Sequence, residues 1–172
     1  MTSSERFQRC LPLILQHEGG YVDHRLDPGG ATNLGVTLGT LSDWLKRPAT
    51  KAEVKALTPA AVAPIYEANY WKAACCDKLP AGLDYAVFDL AVNSGPSRAR
   101  KFLQRVAGVT VDGEVGPKTL AAVNALGSRA MIVRLNADRE AFYRSLSTFP
   151  TFGKGWLRRL AEVTTKATAM AR

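Results

Sequence analysis

Apolar residues recur at helical spacing along almost the whole chain, and one stretch, residues 21–40, breaks that pattern. Thr2 and Glu5 have the spacing of a capping box, ahead of Phe7, Cys10, Leu11, Ile14 and Leu15 on one helix face; Gly19-Gly20 ends the run. Further helix starts are expected at Thr50 with Glu53, at Thr58 before Pro59, and at Ser128 ahead of Met131, Leu135 and Phe142. Pro64 predicts a kink. Residues 83–106 read as two consecutive helices broken near Asn93-Ser94-Gly95-Pro96, and residues 109–119 as a turn-rich link into a short helix with Pro117 in its first turn. Residues 21–40 are rich in Gly, Asp, Asn and Thr, with Leu34, Val36 and Leu38 alternating, which predicts a long loop and a small β-hairpin or extended segment after the first helix. The expected class is therefore mainly α.

A chain of 172 residues has room for one ordinary domain or two small ones sharing a core, and 47% hydrophobic with 22% charged residues is a globular composition. No apolar run reaches the ~18 residues of a membrane span, and residues 1–15 lack the uninterrupted apolar core of a signal peptide. The expectation is a protein made in the cytoplasm without a recognisable signal peptide. Cys10, Cys75 and Cys76 are odd in number and two are adjacent, so free thiols are expected rather than a disulfide framework or zinc site.

Charge divides the chain. Residues 1–93 carry 9 Lys/Arg against 10 Asp/Glu, whereas residues 94–172 carry 14 against 5. Arg98, Arg100, Lys101 and Arg105 cluster in one predicted helix, with Arg158 and Arg159 near the end. A basic half favours nucleic acid, an anionic membrane or acidic wall polymers; no helix-turn-helix or zinc motif supports the first. A functional boundary is expected near Asn93, giving regions 1–93 and 94–172 packed as one compact unit.

The most specific segment is His17-Glu18-Gly19-Gly20-Tyr21, followed by Asp27-Pro28-Gly29-Gly30-Ala31-Thr32-Asn33-Leu34-Gly35-Val36-Thr37. It places one acid at a helix end and a second in a glycine-rich loop, with small polar side chains just beyond. Glycosidic cleavage needs a proton donor for the leaving oxygen and a carboxylate or positioned water on the opposite face of the sugar. Glu18 suits the donor role, because the negative end of the first helix and apolar neighbours both disfavour its ionised form. Asp27, in a solvated turn, suits the second role, with Thr32, Asn33 or Thr37 holding a water; Asp-Pro-Gly-Gly is equally an ordinary turn whose Asp caps the backbone.

These motifs, with Tyr70-Trp71, Phe88-Asp89 and Ala91-Val92-Asn93-Ser94-Gly95, resemble glycoside hydrolase family 108, phage and prophage muramidases marked by Glu-Gly-Gly-Tyr. The resemblance implies a lysozyme-like helical fold, with the family's catalytic glutamate at Glu18. Val111-Asp112-Gly113 and Gly116-Pro117-Lys118-Thr119-Leu120 look like the peptidoglycan-binding region that accompanies the family. Phage-type lysozymes are more broadly similar, with a Glu, eight residues, an Asp, five residues and a Thr; Glu18 and Asp27 keep the first spacing and Asn33 stands in the Thr position.

The resulting expectation is an endolysin that hydrolyses the β-1,4 bond between N-acetylmuramic acid and N-acetylglucosamine after release to the cell wall, in the periplasm. A lytic transglycosylase on the same bond and a non-catalytic wall-binding protein are the alternatives. Glu18 and Asp27 are the catalytic candidates. Tyr21, Thr32, Asn33, Thr37, Trp71 and Asn93 are the substrate-binding candidates, the aromatics by stacking on sugar faces and Asn93 by hydrogen bonding or by capping the next helix. His17, Glu18, Asp23, His24 and Asp27 lack the His-Glu-x-x-His spacing that sets two ligands on one helix face, so no metal is expected. No cofactor is called for, and the partner is the peptidoglycan glycan strand, met by a monomer.

Overall fold

The computed structural model describes residues 1–23 and 30–171; His24 and the second candidate acid, Asp27, lie outside the described residues. The described residues form two compact units, Phe7–Ala68 on the one hand and Met1–Arg6 with Asn69–Arg172 on the other. The protein is mainly α, with one two-stranded antiparallel hairpin after the first helix. No helix among the described residues is long and apolar enough to cross a membrane.

Helix α1 (Ser3–Leu15) starts where the sequence places it: the Glu5 carboxylate accepts from the Thr2 N–H at 2.6 Å, and Thr2 Oγ1 accepts from the Glu5 N–H at 3.2 Å. From Phe7 onward it belongs to the smaller unit and buries Phe7, Cys10, Leu11 and Ile14. The hairpin pairs β1 (Thr32–Asn33) with β2 (Val36–Thr37) in the register Thr32 to Thr37 and Asn33 to Val36. Three short helices follow among the unit's described residues: α2 (Leu38–Leu45), α3 (Lys51–Lys55) and α4 (Pro59–Tyr66). Thr50 and Glu53 close a full capping box on α3, and Thr58 Oγ1 caps α4 ahead of Pro59. Pro64 lies inside α4, which passes at Glu67–Lys72 into a π-helical turn.

The larger unit is a helical bundle around α5 (Leu83–Ser94), whose residues from Leu83 through Ala91 are all buried. Against it pack α6 (Pro96–Ala107), α8 (Ser128–Ser145) and α9 (Phe149–Met170), while α7 (Pro117–Leu126) packs on α6 and α8. Cys10, Cys75 and Cys76 are not joined in disulfides. Arg6 ties the chain's first residues to this unit: Nε donates to Asp84 Oδ2 at 2.7 Å, and a terminal nitrogen donates to the Asp77 and Leu79 carbonyls, each at 3.2 Å. Asp84 is almost wholly buried, and burial raises its carboxyl above the usual range despite the pull of Arg6.

One charged cluster sits in the middle of this bundle. Asp89 on α5 is 0% exposed and takes Arg139 of α8 on one oxygen and Arg159 of α9 on the other, at 2.5 and 2.8 Å. Arg139, 1% exposed, also donates from Nε to the Tyr143 hydroxyl at 2.6 Å. Burial works against its charge, and Asp89 and Tyr143 together outweigh that cost, so the guanidinium is held more firmly protonated than usual.

Two helices differ from the sequence expectation. Leu38 begins α2, with Thr37 as N-cap, instead of continuing a strand. The 22-residue α9 lacks a side-chain N-cap bond and contains Gly153 and Gly155, so Pro150 in its first turn is the start signal it keeps. The cationic cluster on α6 is also smaller than the sequence implies, because Arg100 donates to the Ala73 carbonyl at 2.6 Å and is half-buried.

Removing Asp89 would leave two guanidinium groups facing each other without a counter-ion. Asp89→Ala is expected to lower unfolding free energy by about 3–5 kcal/mol, read by urea denaturation; a loss below about 1 kcal/mol would show that the cluster behaves as a solvated surface pair.

Candidate active site

The smaller unit builds its site on the end of α1. After Leu15 the chain tightens: the His17 N–H donates to Ile14 O at 3.0 Å and the Glu18 N–H to Leu15 O at 3.2 Å. Glu18 thus stands one turn past the helix, half-buried. Beyond it the chain runs antiparallel to β1. Val22 and Thr32 exchange both backbone hydrogen bonds at 2.8 Å, and the Leu34 N–H donates to Gly19 O at 3.2 Å. The Glu-Gly-Gly-Tyr segment is therefore stitched along the hairpin as an added edge.

The hairpin turn is Leu34-Gly35, both in left-handed backbone, with φ of 48° and 72°. That is the two-residue turn whose twist matches the flanking strands, and it favours Asn-Gly or Gly-Gly. A leucine there stores strain on the order of 1–3 kcal/mol. The Tyr66 hydroxyl, at the end of α4, offsets it by donating to Leu34 O at 2.9 Å. Tyr66 is 1% exposed, and its oxygen lies 2.3 Å from where a Cβ on Gly35 would stand. Glu18 Oε2 lies 3.0 Å from the same point. Residue 35 is glycine for two reasons, its backbone angle and the lack of space, and the glycine lets the Glu18 carboxylate and the Tyr66 hydroxyl close over one backbone position. Tyr66 was not singled out from the sequence, and Leu34 was read only as part of the strand alternation. Only the departure from Asn-Gly in a two-residue turn carried a signal.

Strand alternation sorts the other candidates. Thr32 and Thr37 face each other across the hairpin and are half-buried, on the face opposite Asn33 and Val36. Thr37 Oγ1 accepts from the Thr40 N–H at 3.1 Å and caps α2. Asn33 is 7% exposed, and its amide nitrogen reaches the carbonyls of Val54, Lys55 and Leu57 at 3.0, 3.1 and 3.4 Å. This corrects the expectation that Asn33 holds a water or a sugar: its amide is taken up by the carbonyls of Val54 and Lys55 at the end of α3 and of Leu57 just beyond it. Tyr21 is half-buried with the Lys55 ammonium over its ring at 5.8 Å, so one ring face is shared with a cation.

Trp71 and Asn93 belong to the larger unit. Trp71 is 0% exposed, donates from Nε1 to Ser3 Oγ at 3.3 Å and meets the Phe88 edge at 5.4 Å. Its ring is core and presents no face to a sugar, which corrects the second expectation. Asn93 is exposed in the last turn of α5 and donates to Asp89 O at 2.7 Å, so it closes its own helix; α6 begins at Pro96 after Gly95, without a side-chain cap. Among the described residues no group of three acidic, His or Cys side chains is placed to hold a metal.

With this geometry in view, the family model described as "Glycosyl hydrolase 108" matches residues 11–95, from within α1 to the end of α5. The chain belongs to glycosyl hydrolase family 108. It is a glycoside hydrolase of the lysozyme-like muramidase type, and a second model, described as "Predicted Peptidoglycan domain", matches residues 98–161. Among solved structures, that of Brucella abortus SagA is 50% identical, covers 98% of this chain and 97% of its own, and superposes with a TM-score of 0.86. No curated protein matches significantly. The match at 50% identity extends over α1, the hairpin and α4, which place Glu18, Gly35 and Tyr66.

Gly35→Ala would drive a methyl group into Tyr66 and against Glu18. The expected result is a loss of wall-lytic rate on the order of 10²-fold, the effect of an ångström-scale misplacement at a reacting centre, with helical circular dichroism retained. Adding Tyr66→Phe, which removes the clashing oxygen, should recover part of the rate. A fully active Gly35→Ala enzyme would contradict this account of the site.

Proposed function

We propose that this family member is an endolysin of phage or prophage type that hydrolyses the β-1,4 bond between N-acetylmuramic acid and N-acetylglucosamine in peptidoglycan, with Glu18 as general acid. The observation that carries the reading is the half-buried Glu18 carboxylate held over Gly35 beside the Tyr66 hydroxyl, at the end of a rigid helix and against a stitched hairpin. An acid fixed in this way can deliver a proton to the leaving glycosidic oxygen with little reorganisation. Positive charge then develops on the sugar ring, and a carboxylate on the opposite face stabilises it or activates the attacking water. We assign that role to Asp27, nine residues after Glu18 in the same glycine-rich segment. Thr32 and Thr37, on the hairpin's more open face, and Tyr21, on the segment that follows Glu18, are the groups we assign to the substrate.

We assign catalysis to residues 1–93 and wall binding to residues 94–172. In this reading the protein is made in the cytoplasm, reaches the wall in the periplasm after release, and acts as a monomer.

Glu18→Gln keeps the shape of the side chain and removes its proton. The expected loss of lysis of purified sacculi is about 10²- to 10⁴-fold, with the melting temperature unchanged; wild-type turbidity clearance by the variant would refute the assignment. Asp27→Asn separates two roles. A general base is nearly indispensable, whereas a carboxylate that only tunes the field costs less, so the expected drop is clear but smaller than that of Glu18→Gln. Unchanged activity would reduce Asp27 to a turn residue.

A further inference from the structure

Helices α8 and α9 carry an aromatic assembly outside the site described above. The Trp156 ring lies 5.4 Å from Tyr143 and 6.5 Å from Phe149, and Phe152 stacks on it at 5.9 Å with planes 29° apart. Phe152 contributes little to the core, since it is 55% exposed and rests on the outside of Trp156. The neighbouring Phe149 ring lies flat across Gly153, where a Cβ would come within 2.6 Å of it. Glycine inside a helix costs roughly 1 kcal/mol against alanine; here it lets an aromatic ring lie on the helix backbone. Two exposed arginines cover the edges, Arg144 over Phe149 at 5.4 Å and Arg98 of α6 over Phe142 at 4.9 Å.

We propose that this aromatic–arginine surface, centred on Phe152 and Trp156 with Arg98 and Arg144 at its edges, is where the larger unit grips peptidoglycan. The proposal rests on the reading of peptidoglycan as substrate and adds the place of contact. Flat rings with exposed faces bury the apolar side of a sugar. A guanidinium stacked on a ring leaves its planar edge to hydrogen-bond a carboxylate; Arg144 already holds the exposed Glu140 carboxylate in this way at 2.7 Å, which a carboxylate of the wall would displace. Peptidoglycan presents both groups at close intervals, as sugars in the strand and as carboxylates on the stem peptides. The surface falls within residues 98–161, the segment matched as a peptidoglycan domain, in the half with 14 Lys/Arg against 5 Asp/Glu. An anionic membrane would also accept rings edged with cations; the domain match favours the wall.

The test is co-sedimentation of the full chain with purified sacculi. Phe152→Ser combined with Arg98→Gln and Arg144→Gln is expected to weaken binding at least tenfold without changing the melting temperature, since all three side chains are exposed or at the edge. A control, Arg129→Gln with Arg134→Gln, removes the same charge from the exposed start of α8 and should bind as the wild type does. Unchanged affinity of the triple variant, or an equal loss in the control, would overturn the proposal. So would a triple variant that loses binding to phosphatidylglycerol vesicles while keeping its affinity for sacculi. A wild-type chain that neither binds nor cuts sacculi would sink the peptidoglycan reading itself; wild-type binding matched by the triple variant would leave that reading standing and remove only this surface.

Discussion

The Tyr66 hydroxyl occupies the space that a side chain would need at residue 35, and the site is built around that exclusion. It holds a strained leucine carbonyl in a turn that would otherwise favour asparagine, and it fixes the tip of the hairpin against the end of α4. The Gly19–Tyr21 segment is pinned to the same hairpin by backbone hydrogen bonds at Val22 and Leu34. The position of the Glu18 carboxylate thus follows from a chain of contacts involving few residues, each of them local to the turn. Strain at Leu34 is affordable because the surrounding hydrogen bonds over-determine the conformation.

The two units reach stability by different means. The smaller one has short helices and a hairpin of two residues a strand, too little regular structure to hold itself by ladders alone. Side chains that bond to backbone take up the difference: Asn33 on the end of α3, the capping threonines at 37, 50 and 58, and Tyr66 on the turn. The larger unit relies on a helix buried along most of its length and on Asp89 with its two arginines. A buried ion cluster adds little net energy over an apolar core, but it penalises any packing of α5, α8 and α9 that separates the partners.

Local chemistry was legible in the sequence, and tertiary occupation was not. Thr2 with Glu5, Thr50 with Glu53 and Thr58 with Pro59 were readable because a cap needs only its own helix. The hairpin was readable from its glycines and alternation, yet the same alternation carried the strand one residue too far at Leu38, where Thr37 instead starts α2. Asn33 and Trp71 belong to residue types that sugars favour, and their motif context is sound. What disqualifies them is that other parts of the chain claim them first: the carbonyls of Val54, Lys55 and Leu57 for Asn33, Ser3 and Phe88 for Trp71. Tyr66 had no signal at all, since its role depends on a turn 32 residues earlier in the chain.

The central proposal, that this chain cuts the glycan bond on the N-acetylmuramic acid side with water, is tested most directly by mass spectrometry of the fragments released from purified, borohydride-reduced peptidoglycan. Hydrolysis on the muramic side predicts new, reducible N-acetylmuramic acid ends, heavier by one water than anhydro ends and formed in step with the fall in turbidity. Anhydro-muramic ends, new N-acetylglucosamine reducing ends, or cleaved peptide cross-links with intact glycan would contradict it.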